Sequence, residues 1–134
     1  MRKSEVTAEF LANIQTVWDV VTNNMDFVWR SDLERIEITG EHTFIEYTKE
    51  GFKTEFTITN KTPHEFYAFD MKNERFIGSW LGEFSETENG GTMIRFTEYI
   101  DIKNPIIEFF SYFFMNLKKI QEQYVCDLRL RLGE

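Results

Sequence analysis

The sequence predicts an α+β fold in which a curved antiparallel sheet of about seven strands wraps around a long C-terminal helix. The helix is predicted because Asn104 to Leu132 has no internal breaker and its apolar residues recur at steps of three and four. Ile106, Phe110, Phe113, Leu117, Ile120, Tyr124 and Leu128 share one stripe, while Lys118, Lys119, Glu122 and Asp127 fall elsewhere. The sheet is predicted because short alternating segments follow one another between residues 33 and 102, with connections too short for parallel crossovers. A third observation concerns the space between them. Aromatic residues make up 16% of the chain, with 14 Phe and 3 Trp, which suits either a ring-lined chamber or a solid aromatic core.

Taken in order, Glu5 to Leu11 alternates, with Val6, Ala8 and Phe10 on one side, and reads as a half-buried strand. Asn13 then caps a helix in which Ile14, Val17, Trp18 and Val21 share a face, ended by Thr22, Asn23 and Asn24. An irregular piece from Met25 to Arg30 carries Phe27 and Trp29. Six strands follow: Leu33 to Thr39, His42 to Thr48, Phe52 to Asn60, Glu65 to Met71, Phe76 to Ser85 and Thr92 to Ile102. Gly40, Gly51, Pro63, Asn73 and the run Asn89-Gly90-Gly91 punctuate them as a meander. In the last element Asn104 caps, Pro105 suits the first helical position, Arg129 and Arg131 sit at the negative end of the dipole, and Gly133 ends it. About 28 residues at about 1.5 Å each make a rod of about 42 Å, which needs a broad surface to cover it.

Length and charge exclude several functions. A chain of 134 residues has the size of one domain, taken as residues 1–134. The net charge of −8 argues against nucleic acid, since neutralising phosphates takes clustered Lys and Arg. Pro105 to Leu117 is the most apolar segment, but it is too short to span a bilayer and contains Glu108, so no membrane insertion is expected. The first ten residues lack the apolar run of a signal peptide, and the single Cys126 fits a reducing cytoplasm; a buried, inert thiol is expected. His42 and His64 each begin a strand after turn residues and read as loop-edge histidines. No metal-ligand spacing, phosphate loop or nucleophile elbow is present, so neither metal nor cofactor is expected.

Three stretches stand out by order and spacing: Val17-Trp18 with Trp29 shortly after, Ile58-Thr59-Asn60-Lys61-Thr62-Pro63 before a strand, and Glu88-Asn89-Gly90-Gly91-Thr92-Met93-Ile94. In these the chain resembles the START-like, or SRPBCC, helix-grip superfamily, which includes polyketide cyclases and lipid-transfer START domains. The resemblance covers nearly the whole chain. It implies a single START-like domain with a hydrophobic cavity between sheet and helix, and it predicts a pocket better than a reaction.

Alternation then sorts the faces. Thr92, Ile94, Phe96, Glu98 and Ile100 share the inward face of the last strand, so Glu98 lies among apolar side chains, where burial raises a carboxyl pKa. The alternative is a bulge that returns Glu98 to solvent. At Gly51, a three-residue loop of Lys49, Glu50 and Gly51 puts Thr48 opposite Phe52, Glu46 opposite Thr54 and Phe44 opposite Phe56. Phe44, Phe52, Phe56 and Ile58 then line the interior with Glu46 among them; a slip of one residue would bring in Ile45 and Tyr47 instead. Phe76, Gly78, Trp80, Gly82 and Phe84 share a face on the sixth of the seven strands, where the glycines either leave room for a ligand or the helix, or ease a bend.

The candidate site follows from these faces. Glu98 and Glu46 are the candidate catalytic carboxylates. Phe44, Phe56, Tyr67, Phe76, Trp80, Phe96, Glu98, Phe110, Phe113 and Leu117 are the candidate ligand-binding residues, joined by Trp29 and Arg30 in the irregular piece that the resemblance puts at the cavity mouth. The leading reading is a binder of a small hydrophobic or aromatic molecule. The alternatives are a cyclase, dehydratase or isomerase using a buried carboxylate, and an interaction module using Phe109, Tyr112 and Phe114. Monomer and homodimer both remain open.

Overall fold

The computed structural model describes residues 1–107 and 116–134. Its elements are β1 (Arg2–Phe10), α1 (Ile14–Thr22), β2 (Leu33–Ile38), β3 (Thr43–Thr48), β4 (Lys53–Thr62), β5 (Phe66–Lys72), β6 (Phe76–Glu86), β7 (Thr92–Ile102) and α2 (Leu117–Arg131). The seven strands form one sheet in the order β1-β7-β6-β5-β4-β3-β2. All neighbours are antiparallel, so β2 to β7 form the meander and β1 closes onto the last strand.

The local reasons are those of the sequence. Asn13 accepts from the Thr16 amide at 2.9 Å and starts α1, whose Val17, Trp18 and Val21 are buried. Gly51 has φ +93°, and the Thr48 amide donates to the Phe52 carbonyl at 2.9 Å, which closes the three-residue loop and sets Phe44 opposite Phe56 and Glu46 opposite Thr54. Gly133, at φ +78°, ends α2. Gly82 serves a neighbour: a Cβ there would lie 2.7 Å from the Trp80 indole, so the missing side chain is what lets that ring lie flat along the sheet.

The unbroken helix from Asn104 to Leu132 is corrected. Asn104 caps the amides of Ile106 and Ile107, and residues 105–107 are helical. Asn116, however, has extended φ/ψ (−105°, 94°) and accepts from the Lys119 amide at 3.0 Å, so α2 starts afresh after it. The buried stripe of α2 contains Leu117, Gln121 and Leu128. Ile106 and Ile120, placed on the stripe by periodicity, are 68% and 53% exposed. Gln121 takes the buried place because β1 offers it polar partners: Ser4 Oγ donates to its Oε1 at 2.7 Å, and its Nε2 donates to the Ser4 carbonyl at 3.0 Å. Phe110 and Phe113, like Phe109, Tyr112 and Phe114, lie outside the described residues.

Two further expectations are corrected. Cys126 is exposed, since it occupies the solvent side of α2 while Asp127 and Leu128 turn inward. Phe52 precedes β4 and is 43% exposed, with its ring 4.6 Å from the Arg75 guanidinium rather than in the interior.

Burial is divided between two clusters. One gathers Phe10, Val17, Trp18, Val21, Tyr67, Phe84, Ile94, Phe96 and Leu128 where α1 and the end of α2 meet the sheet. The other gathers Phe44, Phe56, Met71, Ile100, Ile102 and Leu117 toward the start of α2. Ile58, Phe69 and Trp80 touch both, and the candidate site lies at this seam.

Candidate functional site

A cavity of about 110 Å³ lies between the sheet and α2. Phe44 and Glu46 of β3, Phe56 of β4, Tyr67, Phe69 and Met71 of β5, Trp80 of β6, and Phe96 and Glu98 of β7 form its floor. Ile120, Gln121 and Tyr124 of α2, Val21 and Asn24 near α1, and Arg30 from the segment before β2 complete it. The rings are ordered against one another: Phe69 stacks on Trp80 at 4.8 Å, Trp80 lies 4.7 Å from Phe96, and Tyr124 meets Phe96 edge-on at 5.2 Å.

Of the residues proposed from the sequence, Phe44, Glu46, Phe56, Tyr67, Trp80, Phe96, Glu98 and Arg30 line this one space. Phe76 and Leu117 pack in the adjoining cluster and do not reach it. Trp29 stands behind it, edge-on to Tyr124 at 5.3 Å, its indole N–H donating to the Asp26 carbonyl at 3.1 Å. Val21, Asn24, Phe69, Met71, Ile120, Gln121 and Tyr124 also line the cavity and are not among the candidates read from the sequence. The alternation Tyr67, Phe69, Met71 in β5 was the available signal for Phe69, and the helix stripe was the signal for Tyr124. Asn24 has no such signal: its amide donates to the Tyr67 hydroxyl at 3.1 Å across 43 residues of sequence.

The polar side of the cavity is built around Arg30. Its Nε and Nη2 donate to Asp32 at 3.2 and 3.1 Å, its Nη1 lies 3.5 Å from Glu46, and its guanidinium sits 4.8 Å from the centre of the Tyr124 ring. The segment that presents it is pinned to α2, because Asp127 accepts from both the amide and the hydroxyl of Ser31 at 2.8 Å and Arg131 pairs with Asp26. Burial of Asp127 would raise its pKa, but the hydrogen bonds from Ser31 and Gln123 outweigh it, and the carboxyl titrates below its ordinary range. Burial likewise disfavours a charged Arg30, yet Glu46 and Asp32 beside it push the balance upward, so it stays protonated.

The two interior carboxyls are displaced in the other direction. Burial raises the Glu46 pKa and Arg30 only partly offsets it. Glu98 is pushed up to about 7, by burial first and then by the charge of Glu46, with Arg30 opposing. Its hydrogen-bonding capacity is not used by any described residue. Burial raises the Tyr67 and Tyr124 hydroxyls too, so both are neutral donors near pH 7. The site therefore offers a fixed cation, a carboxyl that exchanges its proton near neutrality, two phenols and a wall of rings.

Among the described residues no His, Cys, Asp and Glu converge as a metal site, and no helix is long and apolar enough to cross a membrane.

No protein-family profile matches the sequence, and no curated protein matches it. Solved structures do match in shape. A conserved protein from Geobacillus kaustophilus superimposes with a TM-score of 0.81 at 9% identity, over 98% of this chain and 95% of that one. A START superfamily protein from Mycobacterium smegmatis gives 0.76 at 12% identity, over 98% and 97%. The di-domain ARO/CYC BexL from the BE-7585A biosynthetic pathway gives 0.73 at 9% identity, over 99% of this chain and 47% of that one. At these identities the likeness is one of fold, and the fold is the START-like helix grip: an antiparallel sheet of seven strands, not closed, holding a C-terminal helix.

Proposed function

We propose that this protein binds a small hydrophobic or aromatic molecule in the cavity between the sheet and α2, with the ligand's polar end directed at Arg30, Glu46 and Glu98. One observation carries the reading. A START-like sheet and helix flank a ring-lined space into which the partly buried Glu98 carboxyl projects with no described hydrogen-bond partner, so its oxygens are available to a ligand's polar group. The ligand-binding roles of Phe44, Phe56, Tyr67, Trp80 and Phe96 rest on their shared wall. The volume sets the size. About 110 Å³ is room for about four waters at about 30 Å³ each, so the space suits a small ring or a short alkyl head rather than a whole acyl chain.

The test is methyl NMR of the folded protein titrated with n-butanol. Saturable shifts of the Met71 and Ile120 methyls, both at the cavity wall, are the expected result. No shift, or shifts confined to the outer face of the sheet, would overturn the reading.

A second reading, proton-transfer catalysis of the cyclase, dehydratase or isomerase type, is supported by the position of Glu98 near neutrality, where a carboxyl serves as general acid or base. Glu98→Gln separates the two. A binder loses affinity in that variant, whereas an enzyme keeps its ligand and loses turnover.

A further inference from the structure

The charges around the cavity do not balance. Arg30 is the one cation among its described lining residues, and all three guanidinium nitrogens are engaged, two by Asp32 and one by Glu46. Glu98 is left over. It stands opposite Trp80 on β6 and opposite Ser4 on β1, and the Ser4 hydroxyl is already given to Gln121. Among the described residues, the charged or titratable groups that share the cavity with Glu98 are Glu46 on β3, which repels it, Arg30, already committed, and the phenols of Tyr67 and Tyr124. Arg2 lies farther along the inner face of β1, opposite Ile100.

Rings line the same space as the unpaired carboxyl. Trp80, Phe96 and Tyr124 lie within 4.7 to 6.5 Å of one another, and Phe69 backs Trp80. Ring faces attract cations, and the attraction grows where water is excluded. The same rings already hold one: the Arg30 guanidinium lies over Tyr124. A carboxylate with no described cation bound to it, in a ring-lined space of about 110 Å³, is the chemistry of a site for a small positive group.

Building on the proposed binding function, we infer that the ligand is a small organic ammonium, its charged nitrogen donating to the Glu98 carboxylate and resting against Trp80, Phe96 and Tyr124, its alkyl or aryl body on the remaining rings. A primary or secondary amine fits better than a quaternary one, because Glu98 accepts hydrogen bonds that a quaternary nitrogen lacks. Asp32 and Glu46 are occupied by Arg30, so Glu98 alone sets the preference for charge. In the empty protein a proton takes the place of the ammonium, and the two compete for the same oxygen atoms. Because Glu98 titrates near 7, ammonium binding is nearly full strength at pH 8 and weakens about tenfold by pH 6.

The experiment is calorimetric titration with n-butylammonium chloride beside its neutral counterpart n-butanol, at pH 6 and pH 8. The expected result is n-butylammonium at least tenfold tighter than n-butanol at pH 8, with that advantage falling about tenfold at pH 6 while n-butanol barely changes. At pH 7, titrations in buffers of different ionisation heat should show release of about half a proton per n-butylammonium bound. Glu98→Gln should abolish the preference, so that n-butylammonium binds no tighter than n-butanol at either pH. If that variant does not fold, the proton release of the unaltered protein decides alone. Equal affinities at pH 8, or no proton release, overturn the ammonium assignment, and n-butanol binding in the same titration leaves the broader reading standing. If neither compound binds, both fail.

Discussion

The two ends of α2 meet the same sheet with different results. At its C-terminal end Leu128 is fully buried in a sealed cluster with Val17, Trp18 and Phe84, and the Trp18 ring meets Phe84, Tyr67 and His64 edge-on at 5.0, 6.1 and 6.1 Å. Toward its N-terminal end the helix starts at a capping asparagine, Ile120 is half exposed, and the rings beneath leave a cavity that holds two carboxyls and a guanidinium. Both regions draw on the same residue types. The sealed end gains stability from dense packing, whereas the cavity end keeps a charge imbalance that packing alone would not retain. The sealed core and the proposed binding site thus sit on different turns of one helix.

Emptying the sealed end should have the largest effect. Trp18→Ala removes a buried ring from that cluster and is expected to cost about 3 to 5 kcal/mol. Leu117→Ala, at the cavity end but itself buried, should cost about 2 to 5 kcal/mol. Denaturant melts measure both. A loss below about 1 kcal/mol at Trp18 would mean that this end is not the sealed one.

The cavity end should respond to pH with the opposite sign. The folded pKa of Glu98, about 7, is above its ordinary 4.5, so between those values the folded state holds a proton that the unfolded chain has released. Its contribution to stability is complete below about pH 4.5, is lost as pH rises toward 7, and changes no further above that. At about 1.4 kcal/mol per pH unit the loss is up to about 3 kcal/mol. Glu98→Gln escapes it, and should match the parent below pH 4.5 and exceed it at pH 8. Melts of both proteins across that range are the measurement, and parallel curves would show that Glu98 is solvated or paired.

What the sequence made legible was local. The Asn13 cap, the Gly51 loop and the alternation that turns Glu98 and Glu46 inward each depend on a few neighbouring residues, and the structure places them so. What it concealed depends on contacts between residues far apart. Gln121 looks like a surface residue until β1, 117 positions earlier, offers it a carbonyl and a hydroxyl. Arg30 reads as a mouth residue, and nothing local foretells that Glu46 and the Tyr124 ring flank it inside the cavity. Phe76 and Leu117 were placed on the correct faces but too far along them, since alternation gives a face and not a position on it.

The smallest effect is the most diagnostic, because its sign is at stake. Asn116 is exposed, so its replacement disturbs no packing, and it lies in the apolar stretch that periodicity reads as one rod. If the helix ran through it, Asn116→Ala would stabilise by several tenths of a kcal/mol, alanine being the better helix former. If it caps α2, as its extended backbone and its bond to the Lys119 amide indicate, the same change removes that acceptor and costs about 1 kcal/mol. The capped start sets the phase in which Leu117, Gln121 and Tyr124 turn toward the sheet. Asn116→Ala should therefore also shift the Ile120 methyl at the cavity wall and leave Leu128 at the sealed end unmoved. Stabilisation in the melt would restore the continuous rod, and equal shifts at Ile120 and Leu128 would mean that the two ends of α2 respond as one.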